Sequence, residues 1–310
     1  MLSIIYALVP VILVIILGLV LKRSPVIGEA HWRGIENLCY YILFPALLIK
    51  TLATAKTGTA EVLSFSGMAL FAIFAMTGFM LALYPVLKGR GVSPESFTSL
   101  LQGATRWHGF IALSIVDFLL GDEAIAYMAI TMAVIIPPLN IINVAVMASM
   151  IGGGNGLGDV INKIFRNPFI IACFVGALLN LTGIGLSGPV YQVFEMLGNG
   201  ALGVGLLVVG AGLEFSKVLE HRFLVAFGTC IRLLGMPLLM FTGAWLFGIE
   251  GMPLTVAVIA GAVPTAASSY ILARQMGADA PLMANLITVQ VVVSIVTLPV
   301  MIWLTQGQWT

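Results

Sequence analysis

Long apolar runs constrain this chain more than any other feature of its sequence. Ten of them follow one another with short links, and about 20 apolar residues are enough to cross a bilayer as a helix. Only 9% of the 310 residues are Asp, Glu, Lys or Arg, whereas soluble domains carry about 25%. We therefore predict an all-α polytopic membrane protein with ten transmembrane helices. The predicted spans are Leu2–Leu21, Ile35–Leu52, Leu63–Leu87, Phe97–Leu120, Ala124–Ile151, Pro168–Ile184, Val190–Leu213, Phe223–Ile249, Leu254–Ala273 and Leu282–Leu304.

The distribution of Lys and Arg between the links predicts the orientation of the chain. Ten of the 14 lie in links after odd-numbered runs, whereas only Lys56 and Lys50, at the end of run two, are assigned to the even-numbered links. Arg106 and Arg232 lie within runs. Because basic residues next to a span stay in the cytoplasm, the odd links are expected there and both termini outside it. A multi-pass protein of the cell membrane, in bacteria the inner membrane, is expected.

The longest link divides the ten runs into five and five. Its glycines, at positions 152–158, lack the Gly-Lys-Ser/Thr of a phosphate-binding loop, so we interpret the link as a flexible connector. Because five is an odd number, the second half must enter the membrane from the opposite side. The sequence thus predicts two inverted five-helix repeats, 1–151 and 168–310, joined by a cytoplasmic linker, 152–167. Inverted repeats are common among secondary transporters.

Run four contains an interruption, Gln102-Gly-Ala-Thr-Arg-Trp-His-Gly-Phe-Ile-Ala-Leu113. A charge at the centre of a membrane helix costs roughly 2.5–3.5 kcal/mol on insertion scales. Arg106 and His108 are therefore expected to line a watery cavity or to bind a ligand. Gly103 and Gly109 beside them favour an irregular backbone, which is tolerated at membrane depth only against protein or water. The alternative is that Arg106 lies nearer the surface and extends its guanidinium to it.

Run nine has an interruption at a comparable depth, Ile259-Ala-Gly-Ala-Val-Pro-Thr-Ala-Ala-Ser-Ser-Tyr270. Pro264 removes a backbone donor and clashes with the preceding turn, and Gly261 and Ser268 flank it. This predicts a broken helix rather than an ordinary proline kink, because paired interruptions in the two halves indicate a transporter site. A short internal match aligns Gly103-Ala104 with Gly261-Ala262.

The two interruptions together predict a site for a small organic anion. Half-helices whose N-termini meet in the membrane present free N–H groups and positive partial charge. Arg106 adds a donor fork suited to a carboxylate, and His108 can carry a second charge or a proton. The candidate substrate-binding residues are Thr105, Arg106, His108, Gly109, Val263, Pro264, Thr265, Ala266, Ser268, Asn140, Asn143 and Gln290.

Several other polar residues have two interpretations. Asn140 and Asn143 lie one turn apart in run five and either reach the site or bond another helix. Asp117 and His108 are the proton-linked candidates, although Asp117 stands close to a loop and a solvated position is favoured. Arg232 either pairs with a buried carboxylate or reaches the surface, and we favour a structural role.

Composition argues against the other function classes. None of the three His residues has an acidic neighbour at metal-ligand spacing, so no catalytic residue, metal or cofactor is expected. Cys39, Cys173 and Cys230 fall within apolar runs and are interpreted as core residues. The basic residues are too scattered for a nucleic-acid surface. The predicted partners are a small carboxylate and the lipid bilayer.

Several segments, taken in order, resemble the auxin efflux carrier family in its short bacterial form, which includes malonate- and malate-type carriers. The most specific segment is Val263-Pro-Thr-Ala-Ala-Ser-Ser-Tyr-Ile-Leu-Ala-Arg274. The others are Tyr41-Ile-Leu-Phe-Pro-Ala-Leu-Leu48, Pro138-Leu-Asn-Ile-Ile-Asn-Val144, the glycine-containing Leu202–Leu213, Thr288-Val-Gln290 and Thr297-Leu-Pro299.

The resemblance implies a division of labour among the ten helices. Helices 1, 2, 6 and 7 would form a scaffold that also makes a homodimer. Helices 3–5 and 8–10 would form a mobile transport domain, with helices four and nine crossing at their breaks. It implies elevator-type alternating access for an organic anion, a carboxylate such as malate, malonate or an auxin-like acid. The coupling ion, a proton or sodium, stays open at this point.

The chain departs from the family at the run-four interruption. Plant members have a proline there, whereas this chain has none between Gln102 and Leu113, and His108 stands where members commonly carry asparagine. The histidine predicts pH-dependent binding. The close alternative is a sodium-coupled organic anion symporter resembling bile acid–sodium symporters, with Asn140, Asn143, Thr265 and Gln290 supplying oxygens. A membrane enzyme or a non-transporting receptor fits the paired interruptions less well.

Overall fold

The computed structural model describes residues 2–24, 27–55, 59–152, 166–213 and 221–306, and every regular element in these ranges is helical. Most of the predicted linker, residues 153–165, lies outside the described residues, as does Lys56. The α-helices are α1 (Leu2–Lys22), α2 (Glu29–Leu38), α3 (Phe44–Thr54), α4 (Thr59–Gly89), α5 (Pro94–Thr105), α6 (Gly109–Leu120), α7 (Asp122–Ile151), α8 (Pro168–Leu181), α9 (Gly188–Ala211), α10 (Arg222–Cys230), α11 (Met236–Phe247), α12 (Gly251–Ala262), α13 (Ser268–Met276) and α14 (Ala280–Gln306).

The predicted class of an all-helical polytopic membrane protein is confirmed. Within the described residues, six helical stretches are long and apolar enough to cross a membrane: His31–Thr54, Glu61–Gly89, Asp122–Ile151, Gly188–Ala211, Arg222–Phe247 and Ala280–Thr305. Many large apolar side chains are also exposed, among them Leu181, Trp245 and Met196 at 77–83% exposure. A surface of this kind is expected where lipid, not water, surrounds the protein.

Two wide turns interrupt otherwise continuous helices. Residues Cys39–Leu43 join α2 to α3, and residues Ile231–Gly235 join α10 to α11, both in π-helical form. A π turn accommodates one extra residue without ending the helix, and such turns are frequent at functional sites. The first carries Tyr40 and the second carries Arg232.

The breaks in runs four and nine have the same backbone geometry. After α5, Arg106 is extended (φ −76°, ψ 154°), and after α12, Val263 is extended in the same way (φ −69°, ψ 151°). In each case the N–H of this residue closes the last helical turn, on Gln102 and on Ile259. This structural equivalence of Arg106 with Val263 differs by one residue from the Gly-Ala match that the sequence suggested.

The two broken segments run in opposite directions. The carboxylate of Asp279, just after α13, accepts a hydrogen bond from Ser96 Oγ at 2.7 Å, and its backbone N–H donates to the carbonyl of Glu95 at 3.3 Å. Ser99 Oγ also donates to the Asp279 carbonyl. The start of α5 and the end of α13 therefore lie together, and α5 and α12 approach the crossing from opposite ends.

Helix packing falls into two sets. In one set, α1 packs on α9, and α3 packs on both α8 and α9. In the other, α4 and α12 pack on α11, α12 packs on α14, and α5 packs on α7. Lys50, which the sequence suggested as a loop residue, is buried in α3 and lies 3.7 Å from Glu195 Oε1 of α9.

Candidate functional site

The two helix breaks touch each other. The N–H of His108, in the first break, donates to the carbonyl of Pro264, in the second, at 2.8 Å. Thr265 Oγ1 donates to the carbonyl of Gln102 at 3.3 Å. Helices α6 and α13 therefore both begin at one point, where neither segment is helical. We call this point the crossing.

Six backbone N–H groups at this point have no hydrogen-bond partner within the described residues: those of Gly109, Phe110, Ile111, Ala266, Ala267 and Ser268. The first N–H groups of a helix have no partner in their own helix and carry its positive partial charge. Two such sets beside each other form an environment that favours an anion.

Arg106 adds a full positive charge beside these amides. Its Nη2 lies 3.4 Å from Ser268 Oγ, so the side chain spans from one break to the other. Its Nη1 is buried and has no partner among the described residues. Tyr40, in the first π turn, lies within electrostatic range of the guanidinium. A buried guanidinium nitrogen without an acceptor is costly, which indicates a position where a ligand oxygen would complete its hydrogen bonding.

Comparison with known proteins agrees with this geometry. Residues 156–302 match the family described as "Membrane transport protein". Over this stretch, which makes up most of its second half, the chain is similar to that family. The predicted resemblance to auxin efflux carriers is thereby confirmed.

Two relatives extend the similarity over nearly the whole chain. An uncharacterized transporter of Methanothermobacter thermautotrophicus is 24% identical over 302 residues, covering 93% of this chain and 94% of the relative. The uncharacterized transporter YfdV of Escherichia coli K12 is 21% identical over 306 residues, covering 96% of each chain. At these identities the similarity identifies a membrane transporter and leaves its substrate to the chemistry of the site.

In this transporter, several predicted site residues at the crossing are buried, whereas others keep exposed surface. Thr105, Val263, Pro264 and Thr265 are all buried. The Thr105 hydroxyl donates to the Leu101 carbonyl at 2.8 Å. Gly109, Ala266 and Ser268 retain exposed surface. His108 is only 5% exposed and makes no side-chain hydrogen bond within the described residues, and its ring lies 5.7 Å from that of Phe110.

Gln290 of α14 is fully buried and joins three parts of the chain. Its Oε1 accepts the N–H of Thr265 at 2.9 Å. Its Nε2 donates to the carbonyls of Gly103 and Gly228, at 3.2 and 3.4 Å. Because these bonds use both ends of the amide, the side chain supports the breaks in this arrangement.

The side chains of the remaining predicted residues form no hydrogen bond with the breaks within the described part of the chain. Asn143 is buried, its Nδ2 donates to the Leu139 carbonyl of its own helix, and its Oδ1 has no partner in the described part of the chain. Asn140 is partly exposed and makes no side-chain hydrogen bond to any described residue. Asp117 is partly exposed near the end of α6, within electrostatic range of Lys50 and Asp122.

Two polar residues at the crossing were not among the predicted site residues. Gln102 is fully buried, and neither its Nε2 nor its Oε1 has a partner among residues that the structure describes. Ser269 is likewise buried with an unpaired hydroxyl. Both stand within the quoted interruptions, so their position in sequence was a usable signal. Arg232, in the second π turn, also lies at the crossing and donates to Ala104, Ala260 and Val263.

Proposed function

We propose that this protein is a secondary transporter of a small organic anion, a carboxylate of the malate, malonate or auxin-like class. The observation that carries the proposal is the Nη1 of Arg106 beside six backbone N–H groups, all seven without a partner among the residues that the structure describes. A carboxylate supplies two acceptor oxygens and a negative charge, which match a guanidinium and two helix N-termini. The match to a transporter family and the similarity to two proteins named as transporters argue for transport over an enzymatic activity.

We further propose ten membrane helices in two inverted five-helix repeats, 1–151 and 168–310, on either side of the linker 152–167. The opposite directions of the two broken segments support this. The packing of α1, α3, α8 and α9 on one another supports a scaffold of helices 1, 2, 6 and 7, which would also form a homodimer. The mutual packing of α4, α5, α7, α11, α12 and α14 supports a transport domain of helices 3–5 and 8–10.

The proposed cycle is an elevator movement. The transport domain, with the crossing inside it, moves against the scaffold and exposes the anion site alternately to either side. The basic odd-numbered links support a cytoplasmic location for those links, with both termini on the other side of a bacterial inner membrane.

Uptake into proteoliposomes tests the substrate class. The purified protein is reconstituted and offered labelled malate, malonate and indole-3-acetate, with imposed pH or sodium gradients. We expect uptake of at least one acid and no uptake of a neutral amide of the same shape. Failure to transport or bind any mono- or dicarboxylate would remove the organic anion proposal.

Arg106 is tested by substitution. We expect Arg106→Gln to lower uptake at subsaturating substrate by roughly 10- to 150-fold, because a charge-assisted pair contributes about 1.5–3 kcal/mol. Arg106→Lys keeps the charge without the planar fork, and its uptake is expected to lie between that of the wild type and that of Arg106→Gln. Arg274→Gln is the matched control, since Arg274 is an exposed arginine in the last turn of α13. Equal effects of the two Gln substitutions would contradict the role of Arg106.

The gradients in the same assay decide between proton and sodium coupling. A sodium-coupled symporter is the second candidate, because Asn143 Oδ1 and Gln102 Oε1 are buried neutral oxygens without partners in the described chain. Such oxygens suit a hard cation. Uptake that rises with an inward sodium gradient at constant pH would favour it, and sodium-independent uptake driven by a pH gradient would favour a proton.

A further inference from the structure

Arg232 holds the largest fully buried side chain of the described residues and lies beneath the crossing, in the π turn Ile231–Gly235. The membrane insertion cost of a guanidinium predicts either a carboxylate partner or a route to the surface. Neither is present: its exposure is 0%, and within the described residues no carboxylate lies at ion-pair distance from it. The buried charge of Arg232 is therefore stabilised by other groups.

These groups belong to the backbone at the ends of two helices. Nε donates to the Val263 carbonyl at 2.9 Å, and Nη2 donates to the Ala260 carbonyl at 3.0 Å, both at the end of α12. Nη1 lies 3.4 Å from the carbonyl of Ala104, at the end of α5. All three nitrogens of the guanidinium group thus donate to backbone carbonyls. Two of these carbonyls lie at the end of α12 and one at the end of α5.

The electrostatics of this arrangement balance. The last four carbonyls of a helix lack partners in that helix, and the C-terminus carries about half a negative elementary charge. Two such ends meet at Arg232. Together they carry about one negative elementary charge, which the positive guanidinium neutralises. Without it, the negative ends of α5 and α12 would lie next to the positive ends of α6 and α13 and would oppose the binding of an anion there.

We propose that Arg232 is a positioning residue that fixes both broken helices and cancels their negative ends, so that the N-termini of α6 and α13 remain free to bind an anion. The electrostatic part rests on the proposed function, whereas the positional part does not. Arg232 reaches both helix ends from within the π turn Ile231–Gly235.

Backbone hydrogen exchange tests the positional part. Full-length Arg232→Met and Arg232→Lys are placed in nanodiscs beside the wild type. Exchange is followed by mass spectrometry at the hydrogen-bonded amides of the breaks, those of Arg106, His108, Val263 and Thr265. We expect both variants to exchange faster at both breaks, by at least about tenfold for Arg232→Met, because buried carbonyls lose their donors. The control is Leu233→Ala, a buried apolar neighbour in the same π turn. Unchanged exchange in Arg232→Met, or an equal effect in Leu233→Ala, would overturn the positional part.

Transport kinetics test the electrostatic part with whichever acid of malate, malonate and indole-3-acetate the wild type transports fastest. We expect Arg232→Met to raise KM by at least about tenfold, as removing a buried charge does, and Arg232→Lys to restore most of it. Leu233→Ala, which changes packing alone, should leave KM unaltered. Equal KM values in the Met and Lys variants would overturn the electrostatic part.

The two measurements separate the possible failures. If the wild type transports no acid, the proposed function fails, and the exchange data still decide whether Arg232 holds the breaks. If Arg232→Met does not fold, recovery of Arg232→Lys alone supports the requirement for charge, and loss of both variants contradicts rescue by charge.

Discussion

At the scale of single residues, two arginines in membrane segments have opposite environments. Every nitrogen of the Arg232 side chain donates to a backbone carbonyl. In the described part of the chain, the Arg106 side chain makes a single hydrogen bond, at 3.4 Å, and its Nη1 is left without an acceptor. A satisfied buried charge supports structure, whereas an unsatisfied one indicates where a ligand binds. Sequence alone ranked Arg106 as functional and Arg232 as structural, and their contacts explain the difference.

His108 is the residue-scale candidate for coupling transport to pH. Its ring is buried at the crossing without a hydrogen-bond partner among the described residues, and an imidazole can bind or release a proton. We expect His108→Asn to flatten the dependence of uptake on pH, because asparagine keeps a polar group that does not titrate.

Initial uptake rates at a series of pH values measure this effect. His31→Asn is the matched control, since His31 is exposed in α2, away from the breaks. Superimposable normalised profiles for wild type and His108→Asn would exclude this histidine from proton coupling.

At the scale of secondary structure, the breaks depend on close packing against the helix that supports them. A Cβ added to Gly261, in the last turn of α12, would lie 2.9 Å from Met240 Cγ and 3.0 Å from Pro237 Cα. The proline belongs to the first turn of α11, where the backbone has little freedom to move. Glycine at this position lets α12 reach the depth at which its carbonyls meet Arg232.

We therefore expect Gly261→Ala to destabilise the protein by about 1–3 kcal/mol, the usual cost of overpacking. The thermal unfolding midpoint of the purified protein in detergent measures the change. Gly78→Ala is the control, because a Cβ on Gly78, within α4, would meet nothing within 4 Å. Equal midpoints for the two variants would show that the approach of α11 and α12 does not require glycine.

At the scale of the whole molecule, an aromatic contact next to the site joins the proposed scaffold to helix four of the proposed transport domain. Phe44 of α3 stacks on Phe110 of α6, with ring centroids 4.1 Å apart and planes within 4°. Gly205 of α9 lies against both rings. In an elevator this contact joins the scaffold to the moving domain, so it must separate in each cycle.

Cross-linking this contact tests the movement. In a variant free of other cysteines, Phe44→Cys with Phe110→Cys places two thiols across the boundary, and mercury or a short bis-maleimide joins them. We expect the cross-linked protein to lose uptake and to regain it when a thiol excess removes the mercury. Each single cysteine variant treated in the same way is the control. Undiminished uptake by fully cross-linked protein would rule out relative movement at this boundary.

Sequence determined the features that depend on local physics. Apolar length selects membrane helices, because a bilayer offers no partner for an unpaired backbone group. The helix-breaking stretches around Arg106 and Pro264 were recognisable because charge, glycine and proline act on the residues beside them. The predicted site residues at the breaks do meet at one crossing, whereas Asn140 and Asn143 make no described contact with it.

Only the tertiary structure decided how the breaks are supported and which groups remain free. Arg232 and Ala104 are 128 positions apart, and Gln290 and Gly103 are 187 positions apart. Hydropathy and turn propensity carry no information about such pairs, because a hydrogen bond forms only once packing brings donor and acceptor within about 3 Å. Whether an intramembrane arginine supports the fold or awaits a ligand is therefore a property of its folded surroundings.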